Sequence, residues 1–166
     1  MLKIADRTFS SRLFLGTGKF PSNESMSDAL AASGTEIVTV ALRRADLSGK
    51  GDPFANILDF VDPETYLLLA NTSGAMNAEE AVRLARLAHS AGPPKWIKLE
   101  IHTDPTYLLP DPIETLTAAE ILIKEGYTVL PYINADPVLA KRPPEAGFST
   151  VMPPAPPISS HKGIPT

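Results

Sequence analysis

Apolar residues along this chain come in short β-branched runs separated by longer segments with helical spacing. The first run, "RLFLG" over 12–16, closes on a glycine. Behind it, "SNESMSDALAASG" predicts a helix capped by Ser22 or Asn23 and ended at Gly34. "TEIVTVALR" (35–43) and "TYLLLA" (65–70) predict two more strands. In "NAEEAVRLARLAHSAG" (77–92), Asn77 supplies a cap and acids fill the first turn. Ala81, Val82, Leu84, Ala85 and Ala88 recur there at helical intervals up to Gly92. "KWIKLEI" over 95–101 alternates: Ile97, Leu99 and Ile101 take one face, Trp96, Lys98 and Glu100 the other. A helix over about 113–125 stopped by Gly126, a strand "YTVLPYI" (127–133), a short helix near 137–142 and a strand "STVMP" (149–153) complete the pattern.

Strand starts recur about every 25–30 residues with a helix or helix-length segment between them. That order implies parallel strands joined by right-handed crossovers. A doubly wound open sheet and a (β/α)8 barrel both satisfy it. Central strands of an open sheet are buried on both faces and read as nearly continuous apolar runs. Charges inside "WIKLEI" suit a barrel better, because its lumen holds polar groups near the C-terminal mouth. The chain is therefore expected to be α/β, of the (β/α)8 TIM-barrel type. Eight such units need about 250 residues, so a chain of 166 supplies only about six, as a single incomplete barrel domain over 1–166. Polar residues also gather after the strands: Gly16-Thr17-Gly18-Lys19, Arg43-Arg44, Asn71-Thr72-Ser73-Gly74, then Tyr132, Asn134 and Asp136. Either parallel architecture builds its active site at that end.

Composition narrows the function classes. Hydrophobic content of 43% and charged content of 20% belong to a soluble globular chain long enough to bury a core. A net charge of −4 argues against a nucleic-acid partner, which calls for a basic face. The absence of cysteine excludes disulfides, thiolate chemistry and Cys-ligated metals. Neither a signal-peptide core nor an apolar run of membrane-spanning length stands in the sequence, so a cytoplasmic location without a membrane partner is expected.

Most candidate motifs fall away on inspection. "FLGTGKF" lacks the Walker spacing: Leu13 stands where the first glycine belongs, and Phe20 follows Lys19. His89, His102 and His161 are scattered without metal-ligand spacing, so no metal is expected. His89 lies near a helix end and reads as a surface cation. His102 ends the Lys98 strand and is the one histidine worth watching. Lys98 and Glu100 face the same way, one pleat apart. On an arbitrary sheet that pair is a solvated charged face. Inside a barrel both faces of the strand are covered, and a lysine that loses hydration there is biased toward the free amine. An amine beside a carboxylate suits imine formation, in which the amine attacks a carbonyl and the acid moves protons.

"FLGTGKF", "EIVTVALRR", "ANTSGAMNAEEAVRLARLA", "WIKLEI", "LLPDPIETLTAAEILIKEGYTVLPYINADPVLAKR" and "VMP…PI" together closely resemble the thiazole synthase family of thiamine biosynthesis, in order, over about residues 2–164. The resemblance implies a cytoplasmic (β/α)8 barrel, a sulfur-transferring enzyme that needs neither metal nor cofactor. The family condenses 1-deoxy-D-xylulose 5-phosphate with dehydroglycine and with sulfur from the C-terminal thiocarboxylate of a sulfur-carrier protein, giving a thiazole phosphate carboxylate. Its Schiff-base lysine maps onto Lys98 and its acid/base carboxylate onto Glu100. Its members form homo-oligomers, a tetramer in the family, with the sulfur carrier docked at the barrel mouth.

The chain departs from that family in two places. The family's last third, with two strands, a second catalytic aspartate and most of the phosphate-binding backbone, has no counterpart here. Residues 143–166 also form a divergent proline-rich segment holding seven of the 17 prolines. Pro143-Pro144 interrupts an expected helix. Family glycines map onto Ala155 and Ser159, and the glycine at the Ser159 position lies against substrate, which makes Ser159 the candidate substrate-binding residue. Ala155 is expected to be strained wherever its φ is positive. Two alternatives to the active synthase are an inactive fragment lacking the phosphate-binding strands and another Schiff-base barrel of the aldolase type.

Overall fold

The computed structural model describes residues 1–41, 57–140, 148, 150–158 and 160–163. Arg43, Arg44, Pro143, Pro144 and Ser159 lie outside the described residues.

The chain opens with an antiparallel hairpin, β1 (Leu2–Ile4) and β2 (Arg7–Phe9), turned at Ala5 with φ 52°. Then come β3 (Phe14–Gly16), α1 (Asn23–Ser33), β4 (Ile37–Ala41), a 3-10 turn (Ile57–Phe60) and β5 (Leu67–Asn71). The series ends with α2 (Ala78–Ser90), β6 (Trp96–Leu99), α3 (Pro112–Lys124) and β7 (Thr128–Pro131). Ser22 and Asn77 cap α1 and α2 through their side chains, as their positions predict. Gly34, Gly92 and Gly126 follow the three helices at positive φ.

Among the described residues, the five long-range strands are parallel and stand in chain order, β3-β4-β5-β6-β7. A doubly wound sheet reverses direction at a switch point, whereas here each strand adds on the same side. The two faces differ accordingly. Val38, Val40 and Leu68 pack on Met26 and Leu30 of α1. Ala70, Ile97, Leu99 and Val129 pack on buried alanines and Leu122 of α2 and α3. The alternate residues Ile37, Leu67, Leu69, Trp96 and Leu130 form a separate cluster with Ile4 and Phe9 of the hairpin. Helices on one face and a lumen on the other make this a (β/α) barrel arc of the TIM type.

The hairpin was not legible in the sequence, since three-residue strands carry too few positions to set a period. It plugs the lumen from below: Phe9 meets Trp96 edge-on at 6.2 Å, and Arg7 lies over the Trp96 ring at 5.9 Å. Among the described residues of the sixth strand expected over 149–153, a single parallel bridge forms, Tyr132 to Met152, with Met152 N–H donating to the Pro131 carbonyl at 2.9 Å. Pro153 and Pro154 follow directly and have no N–H to extend a ladder. Helical residues begin at 137, as expected, and run to 140 at the edge of the described segment. Among the described residues no helix is long and apolar enough to cross a membrane.

Candidate active site

The period of two carries Trp96, Lys98, Glu100 and His102 onto the lumen face, each one pleat higher than the last. Parallel register sets Lys98 level with Asn71 on β5 and Leu130 on β7. Trp96 and Leu130 lie in the apolar cluster that fills the lower lumen. The polar residues above them therefore rest on a dry floor, at the mouth where the C-terminal strand ends converge.

Beyond β6 the ladder gives way to side-chain pairing. The Thr72 hydroxyl donates to the Glu100 carbonyl at 2.8 Å and accepts from the Glu100 N–H at 2.8 Å. Thr72 thus stands in for a neighbouring strand and fixes the backbone that carries Glu100. One residue further, the Ala75–Ile101 bridge and the His102 N–H to Ala75 carbonyl bond (3.0 Å) do the same for His102. On the other side, Tyr132 N–H donates to the Leu99 carbonyl at 2.8 Å, which brings the phenol ring over the site.

Lys98 Nζ stands 3.0 Å from Glu100 Oε2, and His102 Nε2 stands 2.8 Å from Glu100 Oε1. Tyr132 covers both partners of Glu100: its ring centre lies 5.8 Å from Lys98 Nζ and 5.7 Å from the His102 ring, in an edge-to-face arrangement with the latter. The Lys98 side chain keeps 25% of its surface exposed, against 11% for Glu100 and 5% for His102. Lysine is thus the wettest member of the cluster, less enclosed than a closed lumen predicts.

Burial pushes the Glu100 carboxyl up, but the His102 hydrogen bond and the Lys98 charge outweigh it and hold it at about 2. His102 moves the opposite way. Its bond to Glu100 raises it against desolvation, helped by the Leu109 carbonyl 3.3 Å from Nδ1. Burial and the nearby Glu100 charge push the Tyr132 phenol up, so it stays protonated.

The structure brings Lys98, Glu100 and His102 together, and adds Thr72 and Tyr132. Residue spacing alone marks His102 only as the histidine that ends the Lys98 strand, without assigning it a partner. Continuing the strand's period one step past Ile101 is the signal that finds its partner. The tyrosine and threonine sit in polar clusters visible after the strands, but which atoms they serve depends on register between strands. Among the described residues no group of His, Asp and Glu is arranged to hold a metal ion. Ala155 is exposed and is not among the positive-φ residues, so the expected strain is absent.

The sequence matches the family model described as Thiazole biosynthesis protein ThiG over residues 3–166. Thiazole synthase 2 of Syntrophotalea carbinolica is 65% identical over 165 residues, which are 99% of this chain and 63% of that protein. The thiazole synthase of Syntrophobacter fumaroxidans is 62% identical over the same shares. The chain thus spans 63% of the length of these curated relatives. Among solved structures, the Amycolatopsis orientalis BexX/CysO complex superposes with a TM-score of 0.83 at 28% identity, covering 99% of this chain and 66% of that one.

Proposed function

Because the chain belongs to the family of thiazole biosynthesis protein ThiG, we propose that it carries the imine-forming chemistry of a thiazole synthase. The observation that supports this most directly is the 3.0 Å contact between Lys98 Nζ and Glu100 Oε2 at the lumen mouth. On this reading the ketone of 1-deoxy-D-xylulose 5-phosphate meets Lys98. Glu100 takes a proton from the ammonium, and the free amine adds to the carbonyl carbon. The same proton then returns to the carbinolamine oxygen, which leaves as water, so the protonated imine forms and Glu100 is ionised again. Dehydroglycine and sulfur from a thiocarboxylated carrier protein then complete the thiazole. A protein partner is in keeping with the structural relative, which was solved as a BexX/CysO complex.

Imine trapping tests the first step apart from full turnover. The chain is incubated with 1-deoxy-D-xylulose 5-phosphate, reduced with borohydride and read by intact mass beside Lys98→Ala. A reduced adduct in the wild-type chain and none in the variant is the expected result. An adduct that survives in Lys98→Ala, or a wild-type chain that never labels, sinks the proposal. Dependence of product on a thiocarboxylated carrier distinguishes the synthase from an aldolase-type barrel.

A further inference from the structure

A free carboxylate turns easily about its last torsion and presents either oxygen to a partner. Glu100 lacks that freedom. Oε1 is held by His102 Nε2 at 2.8 Å and Oε2 faces Lys98 Nζ at 3.0 Å. The imidazole is itself held on three sides. Its Nδ1 stands 3.3 Å from the Leu109 carbonyl, its ring edge meets Tyr132, and its backbone is tied to Ala75. A carbonyl oxygen only accepts, so the Nδ1 contact requires the proton there; an ionised carboxylate also only accepts, so the Nε2 contact requires a second.

We propose that His102 is the positioning residue of this site: through Nε2–H it holds Glu100 Oε1 and leaves Oε2 as the single carboxylate oxygen that exchanges protons at Lys98. The proposal rests on the imine reading of Lys98 and assigns the proton traffic within it. Among the described residues, the charged and titratable groups facing His102 are Lys98 from β6, Glu100 just past its end, and the Tyr132 phenol past β7. Glu80 of α2 lines a cavity of about 340 Å³ beside it, together with Ser73 and Met76. Glu80 Oε2 accepts from the Met76 N–H at 2.9 Å, so its carboxylate is engaged within its own turn. Glu100 is accordingly the anion that sets the charge on His102.

Two measurements on the full chain test this. The first is the rate of borohydride-trapped Lys98 adduct with 1-deoxy-D-xylulose 5-phosphate across pH, for wild type, His102→Ala and His102→Gln. Without the imidazolium, Glu100 gains basicity, so the acid limb of the profile moves up by about one pH unit, and the rate falls roughly tenfold or more. Gln has an N–H near the place of Nε2 but no charge, so it recovers rate while the limb stays displaced. A His102→Ala profile that overlays wild type overturns the proposal. The second measurement is ¹⁵N NMR of the imidazoles. Wild-type His102 is expected to be doubly protonated at neutral pH and to lose that character in Glu100→Gln. A His102 ring unchanged by Glu100→Gln overturns the proposal even if His102→Ala fails to fold. A wild-type chain that forms no adduct overturns the imine reading instead, and the NMR result then decides the His102–Glu100 link alone.

Discussion

Glu100 is an anion kept ionised between two cations in a space that otherwise rejects charge. Its carboxyl is held at about 2 against an ordinary 4.5, so the folded chain binds fewer protons there than the unfolded one as pH falls between those values. Stability from this group is complete above about 4.5 and is lost as pH falls through about 2, a contribution on the order of 3 kcal/mol. His102 is raised above 6.5, so its contribution is complete below 6.5 and lost as pH rises through its folded value. The two contributions share one hydrogen bond and are not additive. The cluster therefore stabilises the fold most between about 4.5 and 6.5. Urea unfolding of wild type and Glu100→Gln checks this. The variant is expected to be several kcal/mol less stable near pH 6, because it leaves buried positive charge without its counter-ion. That gap is expected to narrow as pH drops toward 2, and a gap indifferent to pH would show that Glu100 is not the titrating anion.

At the scale of elements, α3 ties the site to the outer layer. Asp111 caps it, accepting from the N–H groups of Ile113 and Glu114 at 2.9 and 3.0 Å, while its own N–H donates to the Ile101 carbonyl at 3.1 Å. Pro112 follows as the first helical residue, where its missing N–H costs nothing. One turn in, Glu114 Oε2 accepts from the Ala78 N–H at 2.6 Å, so the start of α3 also caps the start of α2. The two helices pack closely because Ala81, Ala85, Ala118 and Ala119 are buried between them and the sheet. Asp111→Ala is expected to cost about 1 kcal/mol of stability, read as a lower urea midpoint at unchanged m. Its stretch of chain carries the Leu109 carbonyl to His102, so the same variant is expected to disturb the His102 imidazole resonances. Intact stability after the substitution would mean that the cap is redundant with the register bonds around Ile101.

For the whole molecule, the arrangement is an arc with a stopper. Strand order leaves β3 and the Met152 segment as the two margins of the sheet, and the β1–β2 hairpin closes the lumen floor between them. Leu2, Ile4, Phe14, Leu130 and Met152 border a shallow apolar cavity of about 280 Å³ along that floor. Phe9, only 4% exposed, holds the hairpin against Trp96. Phe9→Ala is expected to destabilise the chain by about 3–5 kcal/mol. Trp96 is the single tryptophan of the sequence, so its emission is expected to shift to the red in the variant as water reaches the indole. Unshifted emission with unchanged stability would show that the hairpin does not hold the floor.

The sequence by itself settled the local order: where strands and helices fall, that the strands run parallel, which helices Ser22 and Asn77 begin, and that Lys98 and Glu100 share a face. Each follows from periodicity or capping within a few neighbouring residues. The N-terminal hairpin escaped because three-residue strands show no period, and the sixth strand shrank to one bridge because prolines deny it the N–H groups its pattern seemed to offer. That the Lys98 and Glu100 face is the lumen face is already expected from charges within a covered strand. Tertiary structure alone decided what stands beside them, since parallel register sets Lys98 level with Asn71 and Leu130. It also decided that Glu100 is divided between Lys98 and His102. Residue types announce charges, but which oxygen meets which nitrogen depends on strand register and on the path of the loop that brings Leu109 back to the imidazole. The ionisation of the cluster is therefore a property of the fold.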